Sequence, residues 1–241
     1  MRYVWDPFVR IFHWSLVAAF IVAFATHTSE WYRIIHVNAG YVAGGLISAR
    51  IIWGLMNTGY ASFQSFPLNP LRAARYVIDF AKGNAKPFVG HNPAGSLVIY
   101  AMLLIGLLTV ISGYLVYNDG WLIDASDILQ PLHFFLAWSW LALVSTHVIG
   151  VITESLLHKD NLIAAMITGV KHNVEGAEDG MEGKDVSRET IRSFAQWTLA
   201  VRQIYKSYTD IDKANTKFYK YMEDNDVVNN YGVETKDENE K

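Results

Sequence analysis

Eight histidines and no cysteine set the chemistry open to this 241-residue chain. Without cysteine it forms no disulfide, thiolate metal site or iron–sulfur cluster, and it attaches no haem covalently through Cys-x-x-Cys-His. The histidine imidazoles are then the candidate ligands for a redox metal. His133 and His147 stand fourteen residues apart, which on a helix is ~21 Å and almost four whole turns, so both rings leave a similar face. His13 and His27 repeat the spacing. A helix carrying two imidazoles in this way can give one axial ligand to each of two stacked haems. Haem iron held by two imidazoles is six-coordinate, which suits electron transfer rather than oxygen binding.

The elements that must position these rings are long and apolar. Apolar residues make up 51% of the chain and aromatic residues 14%, a composition of membrane proteins. Four stretches lack Asp, Glu, Lys and Arg: Ile11–Ser29, Ile34–Ala49, Ser96–Asn118 and Pro131–Thr153. Roughly 20 helical residues cross the ~30 Å hydrocarbon core, so three suffice alone and the second needs its continuation from Arg50 to Met56. The prediction is an all-α, four-helix transmembrane bundle over residues 1–171, with helices at about 8–28, 33–56, 95–117 and 130–157. Arg50 then falls near a membrane face. Ala23-Phe24-Ala25 imitates a signal-peptide cleavage site, but the run is too long for such a peptide and contains His13.

The connections set an orientation. Arg72, Arg75, Lys82 and Lys86 lie between the second and third spans, and Arg2, Arg10 and Lys159 flank the same side. Opposite them stands Arg33, while Asp119, Asp124 and Asp127 occupy the third connection. The positive-inside rule therefore predicts both termini in the cytoplasm of an inner-membrane protein, with Trp31, Tyr32, Tyr117 and Trp121 as an outer aromatic belt.

Residues 1–171 carry ten Lys/Arg against eight Asp/Glu, and residues 172–241 ten against fifteen. This break predicts a flexible acidic linker over 172–186, a cytoplasmic amphipathic helix over 187–223 and a polar, disordered tail over 224–241. Phe194, Trp197, Val201, Ile204, Tyr208, Ile211 and Phe218 give that helix one apolar stripe, fit to pack on its own bundle or on a partner.

On this topology His13 and His147 lie inside the cytoplasmic ends of the first and fourth helices, and His36 and His133 open the second and fourth at the outer face. Ionisable groups cost ~2.5 kcal/mol or more at the bilayer centre, so intramembrane examples mark functional sites. A single histidine could be satisfied by an interhelical hydrogen bond; four at paired depths point to two metal levels. Spacing alone does not choose between His27 and His36 as the partner of His133. Gly40 and Gly44 follow His36, and Gly106 and Gly113 recur on the third span, leaving room for a macrocycle or for close helix packing. Arg10 and Arg50 are placed to hold haem propionates or to anchor the membrane face. His91, His158 and His172 fall in connections, where solvated histidine is expected.

These residues together resemble the bacterial cytochrome b561 and nickel-hydrogenase b-type cytochrome superfamily. The resemblance covers roughly residues 3–171 and rests on Trp5-Asp6-Pro7-Phe8-Val9-Arg10-Ile11-Phe12-His13-Trp14, His36-Val37-Asn38-Ala39-Gly40-Tyr41, Gly90-His91-Asn92-Pro93-Ala94-Gly95, His133, His147 and the stretch from Leu157 to Gly169. It implies two haem b groups, with iron held by His13 and His147 on the cytoplasmic side and by His36 and His133 on the outer side, which selects His36 over His27.

The function expected is electron transfer between membrane quinone and a partner redox protein such as a hydrogenase, a dehydrogenase or a c-type cytochrome. A self-contained quinone oxidoreductase is the near alternative. A haem-free transporter or membrane anchor fits less well, because the charge-free spans offer no acidic residues to line a path. Membrane lipid is an expected partner, and nucleic acid is not.

Overall fold

The computed structural model describes residues 1–57, 59–65, 68–118, 126–174, 176–179 and part of 199–221. Six helices, α1 (Pro7–Thr26), α2 (Arg33–Met56), α3 (Pro70–Ala81), α4 (Pro93–Tyr117), α5 (Ser126–His158) and α6 (Leu162–Thr168), account for most of the first unit, Met1–Thr190. Four of them, α1, α2, α4 and α5, are long and apolar enough to cross a membrane. In the second unit, Ile191–Lys241, the described residues between 199 and 221 are helical. Ile211 and Phe218 are among them; Phe194, Trp197, Val201, Ile204, Tyr208 and the tail over 224–241 lie outside the described residues.

Three helices begin on the same local device, an Asx residue followed by proline. Asp6 Oδ1 accepts a hydrogen bond from the Val9 amide at 2.8 Å, Asn69 Oδ1 from the Arg72 amide at 3.0 Å, and Asn92 Oδ1 from the Gly95 amide at 2.6 Å. Each cap satisfies an amide that has no intrahelical partner, and the following proline supplies a helical φ without a donor to waste. Between α2 and α4, where the sequence marks only a basic connection, this device starts the additional helix α3. The fourth span also starts earlier than expected, at Ser126, so His133 lies two turns inside α5 and Pro131 costs one hydrogen bond near its start.

Helix α1 packs on α2, α2 on α4, and α4 on α5. Between α1 and α5 the approach is made largely by side chains, including Phe20 on Trp140 (ring centroids 5.0 Å apart) and Phe24 on Trp138 (5.6 Å). Ala19, Ala43, Ile47, Leu103 and Trp140 form the buried centre of the bundle. Glycine lets these elements close: a Cβ on Gly44 would lie 2.7 Å from Val110, and one on Gly106 would lie 2.8 Å from the Trp140 ring. Trp31, Tyr32 and Tyr117 are exposed at the opposite end from Asp6, as an interfacial belt requires; Trp121 lies outside the described residues.

A second core, Val4, Trp5, Tyr60, Val89 and Ala165, closes the Asp6 end. There β1 (Arg2–Tyr3) pairs antiparallel with β2 (Val170–Lys171), Arg2 opposite Lys171. The turn from α6 into β2 depends on Gly169, whose φ is +87° and whose carbonyl accepts from the amides of Val4 and Trp5. A Cβ there would sit 2.8 Å from the Trp5 carbonyl oxygen. Gly169→Ala should therefore cost about 1–3 kcal/mol, seen as a lower thermal midpoint of the detergent-solubilised chain.

The start of the expected flexible linker is tied down as far as Asp179. Glu178 exchanges backbone hydrogen bonds with Pro87 and Val89 and pairs with Arg72 at 2.7 Å. Asp179 pairs with Arg2 at 2.6 Å and accepts from the Tyr60 hydroxyl at 2.8 Å. Its acidic residues find the basic residues of the connections, which composition alone does not reveal. Residues 180–186 lie outside the described residues.

Candidate functional site

Four histidines meet as two pairs inside the bundle. The rings of His13 on α1 and His147 on α5 have centroids 6.4 Å apart, and those of His36 on α2 and His133 on α5 are 6.2 Å apart. Two imidazoles that hold one metal from opposite sides, each through a nitrogen ~2.0 Å away, place their ring centres ~6 Å apart. Both pairs have that separation. Among the described residues no group of three or more His, Asp or Glu side chains is assembled to hold an ion. Two opposed imidazoles at each level fit a metal whose other four ligands come from a macrocycle, so the donor set fits haem.

Ring orientation adds a second test of fit. His36 Nδ1 lies 2.8 Å from the Ala23 carbonyl oxygen, and His133 Nδ1 lies 3.0 Å from that of Thr109 and 3.1 Å from the Ser112 hydroxyl. A backbone carbonyl demands a donor, so the proton sits on Nδ1 and Nε2 is left with the lone pair that can ligate a metal. This arrangement orients a metal-ligating histidine and raises its basicity. Gly113 makes room for it, since a Cβ there would approach the His133 ring to 2.9 Å. At the other level the buried Nδ1 of His13 has no hydrogen-bond partner among the described residues, a cost of ~1–3 kcal/mol that a bound group can offset.

His27 is not brought to His133. It is exposed at the end of α1, with Nδ1 2.6 Å from the Phe24 carbonyl oxygen and its ring stacked on Phe24. Gly40 borders open space, with nothing within 4 Å of the position a Cβ would take, whereas the space beside Gly44 is filled by Val110.

The two arginines take up protein partners. Arg10 Nη1 donates to the Ile167 carbonyl at 2.7 Å, tying α1 to α6. Arg50 is buried rather than at a free membrane face: Nη2 donates to the Ala61 carbonyl at 3.0 Å and the guanidinium lies over the Phe63 ring. The loop after α2 folds back to supply that carbonyl, which no residue spacing foretells.

Two further expectations are corrected at this end. His91 is half-buried, its ring 4.6 Å from that of Trp5. Burial, aided by the positive charges of Arg50 and Lys171, holds its pKa well below the ordinary imidazole value. His158 is also half-buried, while His172 is exposed as expected. An acidic residue does stand within a span: Glu154, one residue past the fourth charge-free run, accepts a hydrogen bond from Asn92 Nδ2. His133, Trp140, His147 and Glu154 recur every seven residues along α5, which puts all four near one face. Asn92 thus joins the start of α4 to the end of α5. Lys171, buried beside it, donates from Nζ to the Phe88 carbonyl at 2.9 Å.

Comparison with known proteins gives the same reading. The family model for prokaryotic cytochrome b561 matches residues 4–169. A probable Ni/Fe-hydrogenase B-type cytochrome subunit of Rhizobium leguminosarum bv. viciae is 24% identical over 210 residues, 69% of this chain and 87% of its own length. Its counterpart from Azotobacter vinelandii is 21% identical over the same shares, and the probable Ni/Fe-hydrogenase 1 B-type cytochrome subunit of Escherichia coli (strain K12) is 23% identical over 73% of this chain and 92% of its own. No solved structure matches the chain. With the family match spanning the four membrane helices and both histidine pairs, the chain belongs to the prokaryotic cytochrome b561 family, membrane b-type cytochromes of electron transport.

Proposed function

We propose that this chain carries two b haems, held by His13 with His147 and by His36 with His133, and passes electrons between membrane quinone and a hydrogenase. The observation that carries the ligand assignment is the pair of imidazole separations, 6.4 and 6.2 Å, at two levels of one bundle. Haem held by these histidines would supply a reversible one-electron change at iron. The protein's own part is to hold each ring by helix packing, to fix the proton on Nδ1 of His36 and His133, and to exclude water with Phe20, Trp140 and the aliphatic core.

The relatives' names, which are those of hydrogenase cytochrome subunits, support hydrogenase as the partner. Hydrogenase would oxidise H2 to two protons and two electrons; a quinone consuming two electrons and two protons to become a quinol balances it. The basic residues Arg72, Arg75, Lys82 and Lys86 support a cytoplasmic location for the His13/His147 end by the positive-inside rule. The outer pair then stands nearer a partner across the membrane.

Two measurements on purified membranes test this reading. Pyridine-haem quantification should give two b haems per chain, and H2 should reduce both when the cognate hydrogenase is present, with reoxidation by added quinone. One haem or none in folded protein overturns the ligand assignment; two haems that quinol reduces but H2 with hydrogenase does not would leave a self-contained quinone oxidoreductase.

A further inference from the structure

Helix α3 has three faces where a soluble amphipathic helix has two. At ~100° per residue, Ala73, Tyr76 and Phe80 share an arc of ~60°. Ala73 and Tyr76 are buried as α3 packs on α4, and the Tyr76 ring meets those of Phe80 and Phe88. Arg72, Arg75 and Asp79 share a second arc of ~60°. The third arc, ~120° wide, carries Pro70, Leu71, Ala74, Val77, Ile78 and Ala81, and it is uncovered: Leu71 is 73% exposed, Val77 53% and Ile78 52%. Leu68, just before the helix, is 62% exposed.

The position of α3 says what covers that face. It joins the end of the span α2 to the start of the span α4, so it lies where the hydrocarbon core gives way to headgroups. On the wheel Arg75 and Lys82 flank the apolar arc on the side of Leu71 and Ile78, the place from which long cationic side chains reach up to the interface. Both are exposed, and neither makes an ion pair among the described residues, unlike Arg72, which is engaged by Glu178. Lys86 follows, exposed, in the connection after the helix. Asp79 is the acid on this face, leaving the cations in excess. We propose that α3 is an interfacial helix that seats its apolar arc in the bilayer and binds the headgroup of an anionic phospholipid through Arg75 and Lys82.

The chain's lack of cysteine makes the test direct. Spin labels are placed singly through Ala74→Cys and Asp79→Cys in the full-length protein, reconstituted with phosphatidylglycerol and phosphatidylcholine. The label at 74 should collide with oxygen as a lipid-facing site does, and the label at 79 with a water-soluble relaxant. In a separate measurement, native mass spectrometry of the unlabelled protein should show phosphatidylglycerol retained in preference to phosphatidylcholine. The double variant Arg75→Glu, Lys82→Glu should weaken that preference roughly tenfold or more, since each cation near an anionic surface contributes about five-fold. Haem content of the variant reports that it has folded.

A label at 74 that is water-accessible, or shielded from both probes as beneath a protein partner, overturns the proposal. So does a headgroup preference that is absent or unchanged in the folded double variant. Inorganic phosphate displacing phosphatidylglycerol at equal concentration would show an anion site and not a lipid one.

Discussion

Replacing His147 by alanine should lower the b-haem content from the proposed two per chain to one, and replacing His13 should do the same. The two rings form one pair, 6.4 Å between centroids, and a metal needs both to stay six-coordinate and low in affinity for external ligands. His36→Ala should remove the other haem for the same reason. His27→Ala should leave both, because that ring is stacked on Phe24 and its Nδ1 is engaged by the Phe24 carbonyl. Pyridine-haem quantification with reduced-minus-oxidised spectra reads all four variants. Loss of a haem with His27→Ala but not with His36→Ala would move the outer site to α1. Separate loss with His13→Ala and His36→Ala, leaving the other haem's spectrum unshifted, would show that the two levels bind independently.

Asp6→Ala should destabilise the solubilised protein by about 2–4 kcal/mol, through two losses on one buried carboxylate. Its Oδ1 caps α1 at the Val9 amide, a contribution of ~1 kcal/mol, and its Oδ2 accepts from Trp53 Nε1 at 3.2 Å. Removing the second acceptor takes this hydrogen bond from the buried Trp53 indole at a cost of ~1–3 kcal/mol. Burial pushes the Asp6 carboxyl above the ordinary carboxylate value, against the lowering by these hydrogen bonds and by Arg50. Capping does not require the charge, so Asp6→Asn should keep the Val9 bond and lose the Trp53 one, giving an intermediate thermal midpoint. Equal midpoints for the two variants would show that the Val9 cap contributes nothing once the Trp53 bond is gone. His13 stands on the second turn of the helix that Asp6 starts, so haem content should fall with the midpoint.

The same capping signal shows how legible α3 was. Asn69-Pro70 opens it just as Asp6-Pro7 and Asn92-Pro93 open α1 and α4, and its apolar and basic residues alternate with helical period. Hydropathy along the chain passes over it, because a helix with a charged arc has little average hydrophobicity. Glu154 escaped for a related reason: it stands one residue beyond a charge-free run, and the helix continues past it to His158.

By itself the sequence determined that four helices cross a membrane, because length and hydropathy are properties of each segment alone. It determined too that His133 and His147 share a face of α5, since helical period follows from residue count. Only the tertiary structure decided which imidazoles stand opposite one another. His36 reaches His133 because α2 and α5 present these rings to one space and Ala23 and Thr109 offer carbonyls to their Nδ1 atoms. Arg50 was turned into the core by a carbonyl eleven residues away, and Glu154 met Asn92 across sixty-two residues. Such pairings depend on how whole helices are placed relative to one another, and spacing within any one of them carries no record of that placement.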